Sequence, residues 1–484
     1  MRILPALLAG ILGASLGQVA SAQPEPMRIG VCCHPGHTKN MLTDWEQVFG
    51  WITGCGMDLC RIDWGSDWAL NEEILQAADR AGVELLPVLF PPAPAEDTED
   101  AWYAASLEYG RQCGDRYRDR IRYFELSNER DCRCMTKWPG GGDRDGAAMT
   151  DYDEALYAPI RGMMRGLSDG LKQTHPDCIT MVDTAGWLHF GFIDLLVRDK
   201  VPFDVVAWHW YSEMGDPLRE IESYSGRYRL LERIGQWGKP IWFTEGNRRN
   251  GALDGAEQEQ AEYLEQTIKT LAGTGKVDAY VVYELFDEPY LLAHGGEVCY
   301  GIVHCEWGLS LGQEFPGAKA SIGLQEHGGV KSLALDWNFS AGGRYVSMNW
   351  LPRNPVDADE MRLRVRGNPG EVEMLVRFVD AGGQHLQLSP RVQFTGDWQE
   401  ISVPVRAPWN DHWAGADDGT VHQPLRGVWI GVQAGQVVSG KLELARAELV
   451  RGGETAYAFD FSTDPVFTPR PAWERLKAMF ATSK

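Results

Sequence analysis

Two glutamates end apolar runs of the sequence in settings that suit bond cleavage. The largely apolar run 123–126 indicates the end of a buried strand, and Asn128 and Glu129 follow it. A second apolar run, 241–243, leads to Glu245. Carboxylates at the ends of two strands suit the cleavage of a glycosidic bond, in which one is an acid and the other a base or nucleophile. Either glutamate alone would be weak evidence, because single strand-end glutamates are usually just solvated.

The surrounding sequence predicts the elements that position this pair. Eight apolar runs alternate with helical patterns, and they are continuously apolar, as expected for parallel strands buried on both faces. The predicted strands cover residues 29–33, 57–62, 83–89, 121–126, 179–183, 203–208, 240–243 and 279–283. Strict alternation of eight strands with helices predicts an α/β fold of the (β/α)8 type, the TIM barrel, rather than an open sheet.

In such a barrel all strand ends open on one face, where the active site lies. Polar or aromatic residues end most of the predicted strands, namely His34, Arg61, Asp63, Asn128, Glu129, His209, Trp210, Tyr211, Glu245, Tyr283 and Glu284. The alternative for His209 and Tyr211 is a satisfied core pair. The alternative for Arg61 is a structural ion pair with Asp63 or Glu125. So many polar strand ends are nevertheless unexpected for a purely structural barrel.

Four of these motifs together resemble one enzyme clan. They are Asn128-Glu129 after the fourth strand, residues 242–246 at the seventh, residues 208–211 at the sixth and Arg61 on the second. With them the chain resembles glycoside hydrolase clan A, and within it family 39 and its relatives. The resemblance covers residues 28–303 and the terminal helix. One departure is Tyr283, where many members of the clan carry a tryptophan that floors the sugar site.

The resemblance implies a retaining glycosidase with Glu129 as general acid/base and Glu245 as nucleophile. Arg61 and the Tyr211 hydroxyl would stabilise the charge of Glu245, and Asn128 would bind the sugar 2-hydroxyl. His34, His209, Trp210 and Tyr283 would line the substrate site. Three further tryptophans, Trp64, Trp68 and Trp187, are either sugar platforms or core residues.

The ten cysteines all precede residue 306. Their even number, together with an exported context, predicts disulfide bonds, whose connectivity the spacing does not determine. Cys132 and Cys134 suggest a metal site, but no paired Cys or His motif completes it. We therefore expect neither a metal nor a cofactor.

The N-terminus has the pattern of a secretory signal peptide. A basic start, an apolar run and the small residues 20–22 predict cleavage after Ala22, and therefore a secreted or periplasmic protein. No later stretch has the roughly 18 apolar residues of a membrane span. The net charge of −22 argues against nucleic acid or an anionic membrane as partner. A carbohydrate substrate and a monomeric state are expected.

The pattern changes after the predicted barrel, which we assign to residues 23–312. Residues 313–462 show period-two strands separated by glycine-rich turns, which predicts an antiparallel β-sandwich of jelly-roll type that resembles carbohydrate-binding modules. Its candidate sugar platforms are Trp337, Trp350, Trp409 and Trp413, although a structural role is an equal alternative.

Residues 463–484 return to a helical pattern. No helix is evident directly after the eighth strand, so we expect this segment to close the barrel between its first and seventh helices. The alternative is a helix that belongs to the sandwich. The glycine-rich loop 138–143 is expected beside the site.

The sequence as a whole predicts an exported retaining β-glycosidase acting on a polysaccharide or oligosaccharide. The alternative is a non-catalytic carbohydrate-binding protein on a decayed barrel, which the retained pair Glu129 and Glu245 argues against. The sugar, the linkage and the choice between endo and exo action stay open.

Overall fold

The computed structural model describes residues 26–136 and 145–482. The signal peptide expected over residues 1–22 and the glycine-rich loop expected at 138–143 lie outside these ranges. Two units can be recognised in the described chain: a parallel barrel, and two antiparallel sheets that follow it.

The first unit is a closed barrel of eight parallel strands. The strands of this part of the chain are β1 (Arg28–Cys33), β2 (Leu59–Trp64), β3 (Glu84–Leu89), β4 (Tyr123–Glu125), β5 (Ile179–Val182), β6 (Val205–Tyr211), β7 (Glu220–Ser223), β8 (Gly226–Arg229), β9 (Ile241–Asn247) and β10 (Ala279–Val282). β7 and β8 form a separate hairpin, and the other eight pair in chain order until β10 closes on β1. The predicted TIM barrel is confirmed, and each predicted strand overlaps an observed one.

Helices alternate with the barrel strands. They are α1 (Gly36–Asn40), α2 (Trp45–Cys55), α3 (Trp68–Ala81), α4 (Glu99–Tyr117), α5 (Asp131–Cys134), α6 (Glu154–Thr174), α7 (Phe190–Arg198), α8 (Leu230–Gly235), α9 (Glu257–Ala272) and α10 (Pro471–Thr482). Asp44, Asp67, Thr98 and Asp153 cap the starts of α2, α3, α4 and α6 by accepting a bond from a first-turn N–H. No helix in the described part of the chain is long and apolar enough to span a membrane.

No α-helix directly follows β10, and the C-terminal helix fills the resulting gap. α10 packs against α9 and α2, which are the helices after the seventh and first barrel strands. Its Trp473 meets Trp51 of α2 edge to face, with ring centroids 5.6 Å apart. Ala472 and Leu476 are buried on the same side. The helix that ends the described chain therefore completes the outer ring of the barrel.

The second unit is an antiparallel sandwich. Its strands are β12 (Trp307–Ser310), β13 (Lys319–His327), β14 (Val330–Asn338), β15 (Tyr345–Trp350), β16 (Glu360–Gly367), β17 (Gly370–Asp380), β18 (His385–Leu388), β19 (Arg391–Phe394), β20 (Gln399–Pro404), β21 (Asp411–Trp413), β22 (Leu425–Gln433), β23 (Ser439–Arg451) and β24 (Glu454–Asp460). One sheet has the order β12-β15-β22-β17-β18-β21, with β19 on β17, and the other β13-β14-β23-β16-β20, with β24 on β23. The chain leaves the barrel through β11 (Val303–Cys305) and returns to it through β25 (Phe467–Pro469). These two short strands pair with each other in antiparallel fashion. The sandwich thus begins at Trp307, inside the range assigned to the barrel.

Two candidate sugar platforms of the sandwich lie in its core. Trp350 is fully buried and stacks on Trp307, with centroids 5.5 Å apart, and Trp337 is also buried. Alternation along a strand directs every second side chain to the core, and both tryptophans stand at such positions. Their proposed sugar contacts are therefore wrong, whereas Trp409 and Trp413 are only partly buried.

The ten cysteines are all free thiols, so the predicted disulfides are wrong for this structure. Nine of them are buried, and Cys132 is partly buried. Cys32 and Cys33 illustrate the reason. Because neighbours on a strand face opposite sides, Cys32 points into the barrel interior and Cys33 packs with the outer core. These cysteines fill space as small apolar side chains.

Closure of the barrel by α10 generates a stability prediction. Trp473→Ala should lower the free energy of unfolding by about 3–5 kcal/mol, because a buried aromatic side chain leaves a cavity between α10 and α2. Tyr224→Ala is the matched control, since Tyr224 is 77% exposed. Chemical denaturation of both variants measures the difference. Equal stability of the two would show that α10 is not part of the barrel.

Candidate active site

The site is built by the alternation of side chains along the barrel strands. The inward positions form an apolar floor of Cys32, Leu59, Leu86, Tyr123, Met181, Val205, Ala207, Trp242, Ala279 and Val281. Two residues further along the same strands, the inward positions become polar, namely His34, Arg61, Glu125, Asp183 and His209. The barrel therefore carries its charged groups above an apolar layer, at the carboxyl ends of the strands.

Arg61 of β2 is the centre of this polar layer. Its guanidinium donates to both oxygens of Glu125, at 2.7 and 3.1 Å, and to Glu245 Oε1 at 2.6 Å. It also donates to Asn128 Oδ1 at 2.7 Å. The side chain is buried, so its fixed positive charge must be balanced by carboxylates held at hydrogen-bonding distance. The sequence left two roles open for Arg61, a structural ion pair with Asp63 or Glu125 and a contact with Glu245. The structure shows both kinds of contact, because Arg61 pairs with Glu125 and also contacts Glu245.

Glu245 reaches the interior through a bulge in β9. The pairing with β6 runs Trp208 to Phe243 and then His209 to Glu245, which leaves Thr244 as an extra residue. Bulges re-aim a side chain that strict alternation would direct elsewhere. Trp242 faces inward by alternation. Because of the bulge, both of the residues that follow Phe243 lie on this inward side, where Thr244 donates to Glu125 and Glu245 accepts from Arg61.

The carboxylate of Glu245 is held by donors on both oxygens. Arg61 binds Oε1, the Tyr211 hydroxyl donates to Oε2 at 2.8 Å, and His209 Nδ1 lies 3.4 Å from Oε2. Burial and the charge of Glu245 raise the pKa of Tyr211 well above its ordinary value, so the phenol keeps the proton that it donates. This environment stabilises a negative charge on Glu245, as a nucleophile requires.

Glu129 is placed by a left-handed turn after β4. Ser127 and Glu129 have φ angles of 77° and 46°, in the region that favours glycine. The Glu129 backbone N–H donates to both oxygens of Asp183, at 3.2 and 3.0 Å, which holds the turn. Non-glycine residues in this region are frequent at functional sites.

The carboxyl group of Glu129 faces that of Glu245. Glu129 Oε1 lies 2.7 Å from His209 Nδ1, and its side chain is 34% exposed. One carboxylate oxygen of Glu129, one of Glu245 and a ring nitrogen of His209 all lie within 4.8 Å of one another. The two carboxyl groups therefore stand side by side, one toward solvent and the other buried.

The buried charges around the pair have displaced pKa values. Burial acts to raise the pKa of Glu125, but Arg61 and His209 lower it to about 2. Burial and the charge of Glu125 raise the pKa of Asp183 well above its usual range. Burial acts to lower the pKa of His209, but Glu245 and the neighbouring acids raise it well above 6.5. The layer thus places Glu125, whose pKa is lowered, beside Asp183 and His209, whose pKa values are raised.

Two adjoining cavities open at this face. A cavity of about 280 Å³ is lined by His34, Arg61, Asp63, Phe90, Asn128, Glu129, Tyr211, Glu245, Arg249, Tyr283, Glu297 and Tyr300. A larger one of about 700 Å³ shares only Glu129, Tyr211 and Arg249 with it. Its other walls include Trp187, Leu188, Met214 and Ile221, so it is the more apolar of the two.

Most of the residues expected from the sequence meet here. Glu129, Glu245, Asn128, Arg61, His34, Tyr211 and Tyr283 line the smaller cavity, and His209 lies beneath it. Trp210 is the exception. It is fully buried in the outer core and donates to Gly215 O at 2.8 Å, because the residue between inward His209 and Tyr211 faces outward. The predicted substrate contact of Trp210 is therefore wrong.

Asp183 is the main residue that the sequence analysis missed. It follows β5 directly, at an inward position two residues after Met181. A polar residue after an apolar run also marks the start of an ordinary loop. The only signal in the sequence was therefore that Asp183 stands two residues after an inward-facing residue of the same strand. Phe90 stands two residues after Val88 of β3, so the same spacing could have identified it.

The chain is similar to known glycoside hydrolases in part of its length. A family model described as glycosyl hydrolase catalytic core matches residues 163–296. This match covers α6 to β10 and supports a glycoside hydrolase. No curated protein matches the chain.

Two solved structures are similar to part of this chain at low sequence identity. The virulence factor SghA from Agrobacterium tumefaciens has a TM-score of 0.42 at 11% identity, over 59% of this chain and 93% of that one. A beta-glucosidase from Thermotoga maritima, in complex with glucoimidazole, has a TM-score of 0.44 at 11% identity, over 59% and 94%.

The ion pair of Arg61 and Glu125 generates a prediction about stability. Glu125→Gln should lower the free energy of unfolding by about 3 kcal/mol at pH 7, because it leaves a buried guanidinium with one carboxylate fewer. Glu84→Gln is the matched control. It removes the partner of Arg28 in a partly exposed pair, so the expected loss is at most about 1 kcal/mol.

The same variant has a predicted pH dependence. The pKa of Glu125 falls from 4.5 to about 2 on folding, so its stabilising contribution is complete above pH 4.5 and is lost as the pH falls toward 2. The difference between wild type and Glu125→Gln, measured by urea denaturation, should shrink across that interval. A constant difference would contradict the assignment.

Proposed function

We propose that this protein is an exported retaining β-glycosidase that hydrolyses O-glycosidic bonds of an oligosaccharide or polysaccharide. The observation that carries the proposal is the short distance between the carboxyl groups of Glu129 and Glu245. One carboxylate oxygen of Glu129 lies within 4.8 Å of one carboxylate oxygen of Glu245. Retaining enzymes hold their carboxyl groups about 5–5.5 Å apart, whereas inverting enzymes need about 6.5–9.5 Å to admit a water. The partial match to glycosyl hydrolase catalytic cores supports the same reaction class.

Glu245 is the proposed nucleophile. Its carboxylate attacks the anomeric carbon as the bond to the leaving oxygen breaks, which forms a glycosyl ester. Arg61 and Tyr211 hold its two oxygens, so the attacking lone pair is oriented before substrate binds. Asn128 lines the same cavity and is fixed by Arg61, which suits a contact with the sugar 2-hydroxyl.

Glu129 is the proposed acid and base. It protonates the leaving oxygen in the first step and deprotonates the attacking water in the second, when the ester bond breaks. Its partial exposure suits exchange of protons and water, and His209 orients its carboxyl group. The left-handed turn at Glu129 sets the approach toward the leaving group.

The two cavities divide the substrate between them. The smaller cavity contains both carboxylates, so it is the proposed site of the sugar that forms the ester. The larger cavity contains Glu129 without Glu245, so it is the proposed site of the leaving group. Trp187 is 37% exposed on its wall and offers an aromatic face to a sugar ring.

Replacing each glutamate should have a distinct effect on turnover. Glu129→Ala should slow poor leaving groups by about 10²–10⁴-fold, because they need a proton, and should spare activated aryl glycosides in the first step. Azide should then restore rate and give a glycosyl azide of retained configuration. Glu245→Ala should abolish turnover of all substrates, with azide giving the inverted product. Rates and products are measured with aryl β-glycosides.

The control for both variants is Glu46→Ala, an exposed glutamate of α2 that pairs with Arg80. It should match the wild type. Absence of turnover of every β-glycoside by wild-type protein would favour the alternative, a carbohydrate-binding protein on a decayed barrel. Azide rescue of neither variant would refute the assigned roles.

The leaving-group assignment has its own test. Trp187→Ala should lower kcat/KM for oligosaccharides about tenfold, the equivalent of roughly 1.4 kcal/mol of lost stacking. Aryl glycosides with a small leaving group should change less, because they fill less of the larger cavity. Trp187→Phe keeps a ring and should retain most of the activity. An equal loss on both substrate classes would contradict the assignment.

A further inference from the structure

A second polar cluster lies beside the smaller cavity, at the carboxyl ends of β1 and β10. It contains His34, which follows β1, with Glu284 and Glu288, which follow β10. One ligand atom from each of the three lies within 4.8 Å of the other two. We propose that this cluster binds one zinc ion through His34 Nε2 and the carboxylates of Glu284 and Glu288.

The spacing suits a small divalent cation. Zn–N and Zn–O bonds are about 2.0–2.2 Å long, so neighbouring ligand atoms of a tetrahedral ion lie roughly 3.4 Å apart. His34 Nε2 lies 3.3 Å from Glu284 Oε2. His37 Nε2 lies 3.1 Å from Glu288 Oε1 and 3.6 Å from Glu284 Oε2, so a second ring nitrogen stands beside the two carboxylates.

An independent observation comes from Glu284. Its side chain is completely buried, and no donor within residues 26–136 and 145–482 makes a hydrogen bond of good geometry to either carboxyl oxygen. The ring nitrogens of His34 and His37 lie 3.3 and 3.6 Å from Glu284 Oε2, so this oxygen points into the cluster. A buried carboxyl group without donors is costly, and a cation at this point would satisfy both oxygens.

The outer contacts orient His34 as a ligand. Asp63 Oδ2 lies 3.0 Å from His34 Nδ1, so in the metal-binding tautomer Nδ1 would donate to Asp63 and the Nε2 lone pair would be directed at the ion beside Glu284. Zinc-bound histidines usually donate their second ring N–H to a carboxylate in this manner. Glu288 is held in turn by the Tyr290 hydroxyl.

The donor types favour zinc over the harder cations. Calcium and magnesium take oxygen ligands, whereas imidazole with carboxylates suits zinc. Asp63, Glu284 and Glu288 also place three carboxylates around two histidines, an excess of negative charge that a divalent ion would offset. Because His34 and Asp63 line the smaller cavity, the ion would fix one wall of the sugar site.

The test is zinc binding by the full chain. Protein stripped with EDTA is titrated with Zn²⁺, passed through gel filtration and analysed for metal by mass spectrometry, with Ca²⁺ and Mg²⁺ in parallel. Wild type should retain one equivalent of zinc and none of the other ions. Glu284→Gln and Glu288→Gln should bind zinc at least 100-fold more weakly, and Asp63→Asn about 10–100-fold more weakly.

The matched control is Cys132→Ser. Asp131, Cys132 and His189 also bring three ligand atoms within 4.8 Å of one another, so this variant reports zinc held there. It should bind zinc like the wild type. Glu284→Gln keeps the side-chain shape, and its melting temperature in EDTA should be no lower than that of wild type, whereas added zinc should raise only the wild-type value.

Three results would overturn the proposal. They are no retained zinc in the wild type, retention of calcium in place of zinc, and unchanged zinc affinity in Glu284→Gln and Asp63→Asn. Zinc bound instead by Glu129, His209 and Glu245 would still be bound by the Glu284→Gln variant. That outcome is an unchanged zinc affinity and would therefore also overturn the proposal. Because metal content is measured without substrate, failure here is distinct from failure of the proposed hydrolase activity.

Discussion

The burial of the Arg61 guanidinium at the centre of the barrel is the constraint on which the site depends. A fully buried positive charge is tolerated only where carboxylates surround it, and Glu125 and Glu245 both do so within hydrogen-bonding distance. That requirement keeps Glu125 ionised, with its pKa at about 2, and fixes one oxygen of Glu245. Asn128 is anchored by the same group, so the proposed sugar contact and the proposed nucleophile share one support.

Two departures from regular backbone then direct Glu129 and Glu245, the proposed catalytic pair, toward each other. The bulge at Thr244 brings Glu245 to the inward side, and the left-handed turn at Ser127 and Glu129 directs the second carboxyl group toward it. Both departures are held by buried polar groups, since Thr244 donates to Glu125 and Asp183 accepts from the Glu129 backbone N–H. The charged layer therefore supports the geometry as well as the electrostatics of the site.

The barrel could be predicted from the alternation of apolar strands with helices. Most of its site could be predicted from the residues at the ends of those strands. Eight apolar runs, most of which end on polar or aromatic residues, indicate the fold and the face on which the site lies, and Glu129, Glu245 and Arg61 stand at or near these strand ends. Trp210 was misassigned because three consecutive residues, 209–211, were taken as lining the site, although only alternate residues of a strand face inward. The cysteines were misjudged because an even count does not show which thiols are neighbours. The unpartnered carboxyl group of Glu284 depends on tertiary contacts that no local pattern encodes.

The central claim is that Glu245 attacks the sugar directly, with Glu129 too close to admit a water between them. Proton NMR of the first-formed product from a β-glycoside substrate tests this most directly, before mutarotation mixes the anomers. The β-anomer should appear first, because two displacements at the anomeric carbon restore its configuration. First appearance of the α-anomer would show that Glu245 acts as a base on water, and it would contradict the account.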